Sequence, residues 1–222
     1  MGSVVEFRGV DNLVFAEVVQ DDLDGYETGP VKHLSAVAEI SKTTEVSSTA
    51  KYYDNAPAIV IGGEGADEIT ITCAIPDLQT YAEIIGKDID SETGAMIDSE
   101  RVTKYFALGY RFKKTDGTYR YVWRLKGTFS IPDESSKTED DGTDSTNIEL
   151  TYTGIATTYV FAKNNKKSKG LVVDDTLNSK ADISKFFDAV TTPDMLKVKN
   201  TGNIETSKTI VGKAKVGESN VE

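Results

Sequence analysis

Two runs of alternating side chains, Tyr105 to Lys113 and Tyr119 to Ser130, flank Thr115-Asp116-Gly117-Thr118, and this feature constrains the fold most tightly. Asp-Gly between two alternating runs predicts a β-hairpin with a two-residue type I′ loop. With Asp116 and Gly117 as the loop residues, Phe112 faces Tyr121, Tyr110 faces Trp123 and Leu108 faces Leu125. Opposed residues share a face of the sheet, so this register predicts one aromatic, buried face. Its reverse carries Arg111, Lys113, Arg120, Arg124 and Lys126, with Lys113 opposite Arg120. Like charges so placed destabilise a strand pair, and acidic partners are therefore expected nearby. A slip of one residue would mix cations with aromatics on both faces.

Period-two alternation recurs through the first three quarters of the chain, the pattern of half-buried strands. Asn12 to Gln20 is a nearly continuous apolar run. Leu34, Ala36, Ala38 and Ile40 alternate with Ser35, Val37, Glu39 and Ser41, and Ile69, Ile71, Cys73 and Ile75 alternate with polar neighbours. Ile148, Leu150 and Tyr152 mark another strand. Between the second and third of these runs, residues 41–57 are rich in Ser and Thr and contain Tyr52, Tyr53 and Asp54, which reads as a long loop or extended hairpin. Loops of that length in compact domains are usually functional or disordered. Gly62-Gly63-Glu64-Gly65 reads as a turn.

Helical spacing appears twice. Leu78, Tyr81, Ala82 and Ile85 follow Pro76-Asp77 and stop at Gly86, and Ile183, Phe186, Phe187 and Val190 precede Thr191-Thr192-Pro193. The expected fold is therefore mainly β, with one or two short flanking helices. One domain over 1–195 is expected, with 196–222, which lacks aromatic residues, as a C-terminal arm or tail.

The chemistry-bearing residues are sparse. The chain of 222 residues has one Cys and one His. Cys73 has no partner for an internal disulfide and falls on an apolar strand face, as a small core hydrophobe does. His33 lacks a nucleophile-elbow motif around any serine, and two Cys or His ligands do not make a structural zinc site. The Gly-rich segment lacks the endings of dinucleotide and phosphate loops. Acidic clusters at Asp21-Asp22-Leu23-Asp24-Gly25 and Glu139-Asp140-Asp141-Gly142 fail the calcium-loop pattern at its first ligand. No carboxylate pair stands out for glycosidase chemistry. No catalytic, cofactor or metal residue is assigned, and no enzyme activity is expected. The first residues show no charged leader before an apolar stretch, so no secretory signal is expected.

Charge is distributed unevenly. The net charge of -11 argues against a nucleic-acid binder as a whole. Residues 101–126 nevertheless carry a net of +7, residues 133–144 a net of -5, and residues 11–27 six acids without a cation. The basic aromatic hairpin 101–126 leaves a nucleic-acid-binding module as the alternative reading.

Longer strings carry a more specific signal. Val4-Val5-Glu6-Phe7-Arg8-Gly9-Val10-Asp11-Asn12-Leu13-Val14, Tyr52-Tyr53-Asp54-Asn55 and Tyr105-Phe106-Ala107-Leu108-Gly109-Tyr110-Arg111 occur in that order. They are followed by Thr115-Asp116-Gly117-Thr118-Tyr119-Arg120-Tyr121-Val122-Trp123-Arg124, Lys126-Gly127-Thr128-Phe129-Ser130-Ile131-Pro132 and Glu149-Leu150-Thr151-Tyr152-Thr153-Gly154. Over about residues 4–195 the chain resembles the phi13-type major tail proteins of long-tailed phages that infect Gram-positive bacteria.

That resemblance implies a virion protein assembled in the bacterial host's cytoplasm, with a β-sandwich or barrel-like domain. Six copies would form a ring, and rings would stack around a tape-measure protein between a tail terminator and a distal tail protein. DNA would later pass through without specific binding, and no membrane insertion is implied. Within this frame residues 41–57 become the candidate ring-stacking loop, with Tyr52, Tyr53 and Asp54 at its contact. On charge alone, Arg111, Lys113, Arg120, Arg124 and Lys126 are expected to meet an acidic segment, either the chain's own or that of a neighbouring subunit, and so are candidates for a subunit interface.

Overall fold

The computed structural model describes residues 4–136, 138, 146–176 and 180–199. The strands are β1 (Phe7–Asp21), β2 (Tyr26–Thr28), β3 (Lys32–His33), β4 (Val37–Tyr53), β5 (Ala56–Cys73), β6 (Asp88–Ile89), β7 (Met96–Ile97), β8 (Phe106–Lys114), β9 (Tyr119–Phe129), β10 (Ile148–Gly154) and β11 (Gly170–Asp174). The helix α1 spans Leu78–Ile85. The antiparallel main sheet runs β2-β1-β8-β9-β10-β5-β4, with β11 added to β9 and β3 to β1.

This sheet curls into a half-barrel. Its two sides are joined where one stretch of chain changes partner. His33 pairs with Val14 of β1, the Leu34 amide donates to the Leu13 carbonyl, and from Val37 the same stretch pairs with β5. Inside the curl lies a core of Leu13, Phe15, Leu34, Ile69, Ile71, Cys73, Phe106, Leu108, Tyr110, Phe129, Leu150 and Tyr152, packed against Tyr81, Ile84 and Ile85 of α1. Outside lies a second core, in which Val14, Ala16, Ala107, Trp123, Leu125 and Val173 meet Phe161, Phe186 and Val190. The continuous apolar run of β1 is explained by this arrangement, because a strand covered on both faces needs no alternation.

The helix forms as its caps predict. Asp77 accepts the Thr80 amide at 2.9 Å, and Gly86 adopts the left-handed φ of 73° that ends it. The segment at 183–190 is instead a run of turns with i to i+3 bonds, Phe186 N to Ile183 O and Asp188 N to Lys185 O. Its helical spacing is real, and Phe186 and Val190 are buried. The Phe186 carbonyl, which an α-helix would offer to the Val190 amide, is taken by Trp123 Nε1 at 2.8 Å and Thr191 Oγ1 at 2.9 Å.

Two further expectations need correction. Gly62 to Gly65 is not a turn but lies within β5. Ala36 and Ala38 are exposed, since an irregularity between Val37 and Glu39 turns Val37 and Ile40 toward the inner core instead. At the start of the expected arm, Leu196 packs against the outer core and Val198 bridges Ala181, and residues 200–222 lie outside the described residues.

Candidate functional site

The central hairpin is built on a three-residue loop. Lys113 pairs with Tyr119, Phe112 with Arg120, Arg111 with Tyr121 and Tyr110 with Val122, one residue away from the expected register. Gly117 has a φ of 84°, whereas Asp116 keeps a negative φ, so the two positive angles of a type I′ turn are not met. Asp116 Oδ1 accepts both the amide and the hydroxyl of Thr118, at 2.9 and 2.7 Å, and locks a turn followed by a left-handed glycine. The single aromatic face is therefore overturned. Tyr110, Phe112 and Val122 share a face with Arg120 and Arg124, while Tyr119, Tyr121 and Trp123 share the other with Arg111 and Lys113.

Cations can share faces with aromatics because carboxylates of the same chain receive them. Arg111 forms a two-pronged pair with Asp11, with Nε at 2.5 Å, and lies over the Tyr119 ring. Arg120 grips Asp174 at 2.6 and 2.9 Å, and the buried Lys114 reaches the same carboxylate at 3.2 Å. Lys126 Nζ lies 2.6 Å from Asp21. Arg124 lies 3.6 Å from Asp67. Lys113 is exposed beside the loop. Two of these acids, Asp11 and Asp21, come from the acidic stretch 11–27. The acidic segment 133–144 lies partly outside the described residues.

Asp67 anchors the root of a long projection. Its carboxylate accepts the Thr44 hydroxyl at 2.8 Å and sits 3.4 Å from Lys42 and 3.4 Å from Lys169. Burial alone would raise this carboxyl, but the Thr44 bond and the three cations outweigh it and hold it below the usual carboxylate range.

Beyond Asp67, β4 and β5 leave the sheet together as a two-stranded ribbon. Pairing continues from Thr44–Asp67 to Tyr53–Ala56, and the loop residues Asp54 and Asn55 have φ of 49° and 62°. Both positive angles fit a two-residue type I′ turn, so the turn type expected at Asp116 occurs here. Every residue described from Glu45 to Gly65 is exposed. Val46, Tyr52, Tyr53, Ile59, Val60 and Ile61 are each more than half exposed. Ala50 pairs with Val60 and Lys51 with Ile59, so alternate residues put apolar groups on both ribbon faces. Among the described residues neither the β4 edge from Glu39 onward nor the β5 edge from Ala56 to Ala66 meets a further strand.

The expected stretch 41–57 is thus one half of this ribbon, with Tyr52, Tyr53 and Asp54 at its tip. Sequence reasoning missed the other half, Ala58 to Gly65, because a glycine run resembles a turn. Ile59-Val60-Ile61 beside it was the available signal.

His33 is exposed on β3, and Cys73 is fully buried, which pushes its thiol up. Among the described residues no group of three His, Cys, Asp or Glu side chains is placed to hold a metal ion. No helix among them is long and apolar enough to cross a membrane.

No protein-family model matches the chain, and no curated protein matches it. Among solved structures, it is similar to a chain of the anti-feeding prophage baseplate, determined by cryo-electron microscopy with six-fold symmetry applied. The likeness covers 78% of this chain and 97% of that one at 8% identity, with a TM-score of 0.34. That superposition is loose.

Proposed function

We propose that the chain is a structural subunit that assembles with copies of itself into stacked hexameric rings, as the tail tube of a long-tailed phage. The ribbon is the observation that carries this reading. Twenty or so residues form the side of a standard protein interface, roughly 800 Å² per partner, and the ribbon exposes a stretch of that size. A soluble monomer gains nothing from apolar side chains on both faces of a strand pair held away from its core. Unpaired strand edges are a hazard that cyclic association removes. The resemblance of its strings to those of major tail proteins suggests the form of assembly: a ring, a stack, a tape-measure protein inside, and terminator and distal tail proteins at the ends. A net charge of -11 suits a conduit that does not grip DNA.

Nucleic-acid binding by the basic hairpin is less well supported. Arg111, Arg120, Arg124 and Lys126 are engaged by Asp11, Asp174, Asp67 and Asp21, and phosphate would have to displace those carboxylates.

Electron microscopy of the purified, concentrated chain tests the reading. Rings or tubes are expected, together with their loss when residues 45–65 are replaced by a short turn in a variant with an unchanged circular dichroism spectrum. A chain that stays monomeric at every concentration and binds DNA in a salt-sensitive way would sink the proposal.

A further inference from the structure

The strand that forms the ribbon ends at a groove. β5 runs from Ala56 at the tip to Cys73, and Ile75, Leu78 and Tyr81 follow directly. With Ile148, Asp133 and Glu134 they line an open groove of about 930 Å³. This volume lies near the upper end of the ~300–1,000 Å³ of pockets that enclose drug-sized ligands, enough for more than one aromatic ring. Ile75 is 73% exposed there, and Leu78 is half-exposed although it opens a helix on the core.

We infer that the ribbon tip of one copy seats in the groove at the foot of β5 in the next copy. This rests on the stacking reading and names the surface that receives the ribbon. Three observations support it. Tip and groove lie at opposite ends of one strand of 18 residues, at most about 60 Å apart, so a contact between them joins one end of a copy to the other end of the next. Such a head-to-tail contact is heterologous, and it propagates as a filament where its rotation does not close a ring.

The chemistries also match. Tyr52 and Tyr53 carry their rings on opposite faces of the ribbon, and a groove with apolar lining and the Asp133 and Glu134 carboxylates at its rim offers them apolar contact and acceptors for their hydroxyls. Between Val46 and Gly63 the charged residues are Lys51 and Asp54. Lys51 is the cation for the acidic rim, and Asp54 lies in the loop, beyond the paired residues that carry the rings. Finally, a ribbon apolar on both faces is half wet against a flat surface and covered in a groove.

Paired cysteines test the contact, because native Cys73 is fully buried. Tyr53→Cys and Leu78→Cys in one chain, assembled and mildly oxidised, are expected to give a ladder of disulfide-linked multimers on non-reducing gels. Each single variant is expected to give none, and an equimolar mixture of the two singles to give dimers only. Photo-cross-linking from residue 53 in otherwise unsubstituted tubes, mapped by mass spectrometry, is expected to reach residues 75–81 of a second copy. Tubes that form without either link overturn the inference, whether the tip seats elsewhere or the chain's own segment 137–145 fills the groove. Failure of the unsubstituted chain to form rings or tubes would instead remove the stacking reading itself.

Discussion

Asp21 and Lys126 form an ion pair at 2.6 Å in which the carboxylate side chain is 3% exposed and the ammonium side chain 12%. The carboxylate also accepts the Thr158 and Tyr159 amides, at 2.8 to 2.9 Å. One acid from the end of β1 thereby ties β9 to the segment that covers the outer core. Removing one partner of a buried pair leaves the other charge uncompensated, which costs about 3–5 kcal/mol. Asp21→Asn is expected to lower unfolding stability by that amount in urea titrations. Asp21→Asn combined with Lys126→Met is expected to recover part of it, and equal losses that simply add would show that the two groups are not coupled.

Acid should destabilise the fold through the same carboxylates. Burial would raise the Asp21 carboxyl, but Lys126 and the two amides hold it below its usual value, and Asp67 and Asp174 are held down by their own partners. A carboxyl depressed in the native state contributes stability in full above its unfolded pKa of about 3.9, and that contribution is lost as pH falls through the native value. Stability is therefore expected to be flat on this account near neutral pH and to fall from about pH 4 downward. Unfolding free energies measured across that range check it, and Asp67→Asn should reduce the slope. An unchanged slope in that variant would remove Asp67 from the account.

The three-residue loop and a close approach of two strands make separate predictions. Gly117 holds a φ of 84° with open space around it, so Gly117→Ala meets only backbone strain, about 1–2 kcal/mol. A Cβ on Gly127 would instead fall on the Thr153 carbonyl and the Tyr152 ring, and the paired strand cannot retreat. Gly127→Ala is expected to cost at least about 1–3 kcal/mol through overpacking. Thermal melts of the two variants should rank Gly127→Ala as the worse, and the opposite order would contradict the close packing of β9 on β10.

Local chemistry was legible where its partners are near in sequence. Asp77, Leu78, Tyr81, Ile85 and Gly86 fix α1, and Ile69, Ile71 and Cys73 alternate onto one face because β5 has a single core there. The hairpin register was not legible, since Asp-Gly serves two-residue and three-residue loops alike and the choice falls to the Asp116–Thr118 bonds. The second core escaped for a different reason: Trp123 faces outward only because a segment some 60 residues later, around Phe186, returns to cover it. Pairs such as Arg111 with Asp11 join positions 100 residues apart, and no spacing rule announces them. Of the candidate site, Tyr52 and Tyr53 were legible as exposed aromatics in a polar stretch, whereas the apolar run Ile59-Val60-Ile61 on the returning strand was masked by the glycines that follow it.

The ribbon should separate stability from assembly. Tyr52 and Tyr53 are 67% and 61% exposed, and neither belongs to the inner or the outer core. Tyr52→Ser with Tyr53→Ser is expected to change unfolding stability by no more than about 0.5 kcal/mol, as surface substitutions do. Interface aromatics commonly carry 2 kcal/mol or more each, so the same variant is expected to raise the concentration needed for assembly by about 30-fold or more. Sedimentation of paired dilution series measures it. Loss of stability in step with assembly would place the tyrosines in the fold, and unchanged assembly would remove the ribbon tip from the contact.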